Sequence, residues 1–259
     1  MVDGRDGLRR DKRSRASTRT SPRVRERAEQ LTEQGMPYQM AMAVAHGRMD
    51  LNDALERMAR RDRVKVLMDR HGLSRALATQ IVIGHADLNQ VLARRRLAEH
   101  RQNHRDRTCL ESGSSLTLAL MNGRTLRGEV GTVEPYTFTF VSGDETTELH
   151  KLKVKYAYDP QQWKKVKKGV RSDGKKSAEG AVEPAERPQD RYSCSDRRLF
   201  GYLDTEQEVF ATLLGGDLLR GRVTWFSRYE FGLQLRSQAE VTVFRHALKN
   251  LVVATSQTR

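Results

Sequence analysis

Two internal duplications constrain this chain more than any other feature, because a repeated sequence must fold as a repeated structure. The first is helical. Gly35-Met36 through Gly47-Arg48-Met49-Asp50-Leu51-Asn52 recurs 37 residues on as Gly72-Leu73 through Gly84-His85-Ala86-Asp87-Leu88-Asn89. Ala41/Ala78, Leu55/Leu92 and Arg57/Arg94 keep the register, and Met36/Leu73, Met40/Leu77 and Val44/Ile81 are apolar in both copies. Gly35 and Gly72 sit where a helix C-terminus wants left-handed backbone, and Asp50 and Asp87 where a carboxylate can cap the next helix. The pattern predicts a helical domain over 24–107, built of two three-helix units at about 24–60 and 61–100.

After Leu110 the apolar spacing changes to alternation, the mark of strands. Leu116, Leu118 and Leu120 share one face, as do Leu126, Val130, Tyr136, Phe138 and Phe140, with Asn122-Gly123 as a tight turn. This first β segment is predicted over 110–158. A second, predicted over 197–255, repeats it at an offset of 93: Gly123/Gly216, Leu126/Leu219, Arg127/Arg220, Gly128/Gly221, Val130/Val223, Tyr136/Tyr229 and Phe138/Phe231. Beyond the next loop the match reads best with a shift of about three, pairing His150 with His246 and Leu152 with Leu248.

Between and around these repeats the chain is polar. Residues 1–23 carry Arg5, Arg9, Arg10, Lys12, Arg13, Arg15, Arg19 and Arg23 among Ser, Thr and Gly, and are expected to form a disordered basic arm. Residues 159–196 are read as a disordered charged linker, basic at Lys164, Lys165, Lys167 and Lys168 and acidic and proline-bearing further on. Over 259 residues the formal net charge is +14, which favours a polyanionic partner, most often nucleic acid. Arg94, Arg95 and Arg96, like the linker lysines, are candidate accessory phosphate contacts. His100 and His104 share a helical face as a metal pair would, but no third ligand lies nearby, which favours a solvated basic helix end. Two cysteines without a Cys-x-x-Cys pair fit a reducing compartment. No apolar run approaches the ~18 residues of a membrane span, and the arginine-rich start is not a secretory signal. A soluble cytoplasmic protein without membrane contact is expected. No phosphate loop, His-Glu-x-x-His or Gly-x-Ser-x-Gly is present, so neither an enzyme nor a cofactor is predicted.

Each β copy resembles an Sm-like domain, and the second is similar to the Hfq-type RNA chaperones of that family. The likeness rests on Leu213-Leu214-Gly215-Gly216-Asp217-Leu218-Leu219-Arg220-Gly221-Arg222-Val223, then Trp225-Phe226-Ser227-Arg228-Tyr229-Glu230-Phe231, then Val241-Thr242-Val243-Phe244-Arg245-His246-Ala247-Leu248. The first stretch matches the family's Asn-Gly-x-x-Leu-x-Gly element and the last its aromatic-Lys-His-Ala-Ile element, with Arg245 for the lysine. The helical units are more weakly similar to the ubiquitin-associated three-helix fold. The resemblance implies an α+β multidomain fold: N-terminal all-α duplicated three-helix repeats, then two small Sm-like bent β-barrels joined by a disordered linker. It implies a trimer supplying a six-barrel ring, or a pseudo-symmetric monomer with two docked barrels.

By the same resemblance, single-stranded, uridine-rich RNA would stack on Tyr229 beside Arg228, with Arg245 and His246 contacting base and phosphate. Tyr136, His150 and Lys151 would be the counterparts in the first copy. The family's rim arginines are absent, that stretch reading Asp204-Thr205-Glu206 and Glu111-Ser112-Gly113. The expected function is RNA binding in post-transcriptional regulation, with a protein partner for the helical repeats. The alternatives are a protein-interaction scaffold whose barrels only oligomerise, or DNA binding through the helical repeats.

Overall fold

The computed structural model describes residues 21–172 and 184–254. Most of the expected basic arm (1–20) and the centre of the expected linker (173–183) lie outside the described residues. The chain divides into two compact units, Met1–Val91 and Leu92–Arg259.

The first unit contains α1 (Pro22–Glu33), α2 (Tyr38–Ala45), α3 (Leu51–His71) and α4 (Arg75–Val82), and takes in the start of α5 (Leu88–Asn103). The 37-residue period maps α2 onto α4 and the start of α3 onto the start of α5. Asp50 caps α3 by accepting the Asn52 N–H at 2.7 Å, and Asp87 accepts the Gln90 N–H at 2.8 Å. Gly72 ends α3 at φ 60°. The two units are not separate three-helix bundles, however. Leu51–His71 is one continuous 21-residue helix, the third helix of the first copy and the first of the second. No glycine or proline interrupts it, so nothing breaks its hydrogen-bond ladder. Ala28, Met36, Ala41, Val44 and Ala54 form the small core of the first copy.

The second unit is built on one antiparallel sheet. Its strands are β1 (Ser115–Leu120), β2 (Thr125–Val133), β3 (Thr137–Ser142), β4 (Glu145–His150), β5 (Val154–Tyr158), β6 (Val170–Ser172), β7 (Glu208–Leu213), β8 (Asp217–Phe226), β9 (Glu230–Leu235), β10 (Glu240–Phe244) and β11 (Leu248–Val253). They run β11-β7-β8-β9-β10-β5-β1-β2-β3-β4, with β6 added beside β8. Among the described residues they are accompanied by most of α5 and by α6 (Trp163–Gly169) and α7 (Asp196–Asp204). Both repeats share the internal order fifth-first-second-third-fourth strand.

The expectation of two small bent barrels is overturned: the eleven strands form one continuous, unclosed sheet. The physical reason is the edge. β10 of the second repeat pairs with β5 of the first, Thr242 opposite Ala157 and Val243 opposite Tyr156. Backbone groups that a separate barrel would have to satisfy by closing on itself are satisfied by the other repeat. Side chains cross the same seam. Phe244 belongs to the core of the first repeat, with Leu118, Val130, Phe138 and Phe140, while Ala119 and Tyr156 belong to the core of the second. Lys155 on β5 pairs with Asp217 on β8, both almost fully buried. The unit that any assembly would repeat is therefore this sheet and not a barrel.

The expected disordered linker is ordered over its first part. Val166 anchors α6, and β6 then pairs antiparallel with the first part of β8. β8 thus changes neighbour along its length, to β6 at residues 217–219 and to β9 from Gly221 to Phe226. Gly221 and Gly128 lie where a facing strand leaves no room for a side chain. A Cβ at Gly221 would stand 2.2 Å from the Gln234 carbonyl oxygen, and one at Gly128 1.9 Å from that of Val141.

The two ends of the sheet differ. β4 ends it on one side. On the other, the outward backbone of β11 is covered by side chains: the Leu251 N–H donates to Tyr192 Oη at 3.1 Å, and the Leu251 carbonyl accepts from Tyr192 Oη at 3.3 Å and Arg198 Nη2 at 2.5 Å.

Candidate nucleic-acid interface

The sheet fixes how the repeats correspond and corrects the alignment read from sequence. Thr137 lies opposite His150 and Glu230 opposite Phe244, so the offset past the loop is 94. Lys151 therefore corresponds to Arg245, Leu152 to His246, and His150 to Phe244. His150 and His246 are not equivalent.

Each repeat builds the same corner. Tyr136 lies in the turn between β2 and β3 and Tyr229 in the turn between β8 and β9. The Tyr136 carbonyl accepts the Lys151 N–H and the Tyr229 carbonyl the Arg245 N–H, both at 2.8 Å. With the backbone tied down, both rings face solvent, 75% and 63% exposed. Tyr229 thus leaves the alternating row that buries Phe231, Leu233 and Leu235. The exposed Arg228 guanidinium lies 5.1 Å from the centre of the Tyr229 ring, a cation beside an aromatic face.

The other expected contacts in the second repeat are taken up by the fold. Arg245 is 16% exposed; its Nη1 donates to Asp196 Oδ1 at 2.8 Å and the Cys194 carbonyl at 3.3 Å. Its guanidinium lies over the Phe226 ring. His246 donates from Nε2 to the Val154 carbonyl at 2.9 Å, across the seam between repeats. Burial pulls its pKa down to about 4, outweighing that bond, so the ring is neutral at pH 7. In the first repeat, His150 Nδ1 accepts the Leu152 N–H at 3.1 Å and starts a one-turn 3-10 helix at Lys151.

Arg94 is exposed on α5, whereas Arg95 pairs with Glu99 and Arg96 with Asp204. The histidines of this helix are not a solvated end. His100 Nε2 lies 3.2 Å from both the amide nitrogen and the carbonyl oxygen of Phe226. His104 Nδ1 donates to the His100 carbonyl, and the two rings stack. Burial, and then the neighbouring His104, lowers the His100 pKa. Among the described residues no group of three metal-ligating side chains comes together.

The linker lysines sit on α6. Val166 points into the core, and Lys164, Lys165, Lys167 and Lys168 point out. Sequence reasoning missed the aromatic at the head of this helix. Trp163 is 46% exposed, with Lys167 Nζ 5.9 Å from its ring centre. A tryptophan directly before a lysine run was the available signal. Among the described residues of the second unit, Tyr229–Arg228 and Trp163–Lys167 thus pair an exposed aromatic with a cation, and Tyr136 is exposed at the matching turn.

Comparisons with protein-family models, with curated proteins and with solved structures return no match. No helix among the described residues is long and apolar enough to cross a membrane.

Proposed function

We propose that this protein binds single-stranded RNA through the second unit and acts in post-transcriptional regulation. The observation that carries the reading is the repeated corner: two tyrosines at equivalent turns, held by equivalent backbone bonds and presented to solvent, one beside an arginine. Unpaired bases expose their faces for stacking on such rings, and a +14 chain supplies the attraction for the backbone. Arg228, Lys151 and the lysines of α6 are the cations placed for phosphate. Arg245 and His246 are assigned to holding the fold and not to touching RNA. The likeness to the Hfq-type chaperones supports the RNA class through its sequence motifs alone.

Fluorescence anisotropy with labelled oligouridylate tests this. Tyr136→Ala with Tyr229→Ala is expected to weaken binding by about 1–3 kcal/mol per stacked base, and affinity is expected to fall steeply with salt. Unchanged affinity in a folded double variant overturns the assignment. The helical unit supports a second role, a protein partner, because it leaves Tyr38, Leu51, Leu55, Val66 and Ile83 exposed.

A further inference from the structure

Where β8 exchanges β9 for β6, the sheet opens into a cavity of about 170 Å³ lined by Lys168, Arg171, Phe210, Arg220, Arg236 and Ser237. We propose that this cavity is a binding site for a phosphate monoester, distinct from the aromatic corners. Four cations line it, and the carboxylate that touches them is Glu208, which pairs with Arg220 and Arg236. The balance at the cavity is cationic even with that carboxylate counted.

Two polar atoms at the site are buried without a hydrogen-bond partner, Arg220 Nε and Ser237 Oγ. Buried donors go unpaired at a cost, one that Thr117 Oγ1 and Arg245 Nε and Nη2 bear elsewhere in this unit; what sets this place apart is that the two lie among four cations. Arg220 is held in position from two sides. Its guanidinium lies 4.9 Å from the Phe210 ring centre, and its Nη2 donates to Glu208 at 2.7 Å. Gly169 lets α6 and β6 come close: a Cβ there would stand 2.8 Å from Ser237 Oγ and 2.9 Å from Leu235 Cδ1. That approach brings Lys168 and Arg171 to the cavity. A tetrahedral oxyanion offers acceptors to donors arriving from four places, α6, β6, β8 and the end of β9, which the two oxygens of a planar carboxylate do not.

The first repeat does not carry this set of residues. By the strand register it keeps Arg127 at the position of Arg220. It places Thr117, Gly143 and Asp144 where the second has Phe210, Arg236 and Ser237, and Ser115 in place of Glu208. The site belongs to the second repeat because α6 and β6 attach there.

The phosphate could be carried by a small nucleotide or by the 5′ end of an RNA, and the test separates these sources. The full chain is titrated with inorganic phosphate and with adenosine monophosphate, against chloride at equal ionic strength, following heat of binding. Saturable binding is expected, weakened at least about tenfold by Lys168→Ala with Arg171→Ala, and also weakened by Ser237→Ala. The first pair avoids the Arg220–Glu208–Arg236 cluster and so spares the fold. Oligouridylate with a 5′ phosphate is then compared with the 5′-hydroxyl form. A preference that disappears in Lys168→Ala/Arg171→Ala assigns the site to RNA ends, and equal affinity assigns it to free nucleotides. Absence of phosphate binding at millimolar concentration, or binding that ignores all three substitutions, overturns the proposal. Neither result depends on whether the tyrosine corners bind RNA.

Discussion

Replacing Lys155 with methionine tests the joint between the two repeats. Lys155 is contributed by β5 of the first repeat and Asp217 by β8 of the second, and their side chains are 5% and 9% exposed. The pair cannot be a duplicated feature. The positions that correspond to Lys155 and Asp217 in the other repeat are Lys249 and Arg124, two like charges. Methionine keeps the length and apolar stem of the lysine but leaves the Asp217 carboxylate buried without its counter-ion. Breaking a buried pair from one side costs about 3–5 kcal/mol, far more than the pair's net contribution, because the surviving charge is stranded. For a unit of this size that is roughly 6–20 °C in melting temperature. Urea unfolding followed by tryptophan fluorescence reads it directly, since Trp225 is buried in this unit. Adding Asp217→Leu removes the stranded charge and is expected to recover most of the loss. The reasoning is refuted if Lys155→Met costs under about 1 kcal/mol, or if the double variant is less stable than the single one.

Acidification probes His246. Its folded pKa of about 4 lies below the ordinary histidine value. As pH falls from about 6.5, the unfolded chain therefore takes up the proton first, and stability drops by up to about 3 kcal/mol by pH 4. His246→Gln should remove that part of the slope, read as the difference between variant and parent urea curves at pH 7 and pH 4.5. Gly221→Ala and Gly128→Ala each drive a methyl group into a facing carbonyl, and a loss of about 1–3 kcal/mol or more is expected in the same assay. Tyr192→Phe with Arg198→Ala uncovers the Leu251 backbone, and concentration-dependent self-association by sedimentation velocity is the expected outcome. A sharp, concentration-independent boundary would show that this cover is not what keeps the edge from pairing.

The local elements were legible because periodicity and punctuation are local. Glycine turns, aspartate caps and alternating apolar rows located the helices between Pro22 and Asn103 and most strands, but not α6 or α7. Fusion of two expected helices into α3 was legible too, in the absence of any glycine or proline between Leu51 and His71. The partner of β5 was not. Alternation says which face of a strand is buried but not which strand lies beside it, so one sheet and two barrels share the same pattern. The site suffered similarly. Arg245-His246 matched a recognition motif, yet nothing in the motif foretold that Asp196 and the Val154 carbonyl would engage them. The anion cavity was beyond sequence reasoning, since it combines α6, β6 and the ends of β8 and β9, joined by a change of strand neighbour.

The seam between β5 and β10 also sets a timetable for synthesis. Ala157 leaves the ribosome 85 residues before Thr242, the residue it pairs with. At about 5–20 residues per second the flank of β5 stays uncovered for roughly 4–17 seconds. Through that interval the nascent first repeat presents Tyr156 and Ala119 to whatever else is in reach. Slowed elongation across residues 159–241 lengthens the hazard and faster elongation shortens it, so the yield of native protein depends on the pace at which this stretch is made.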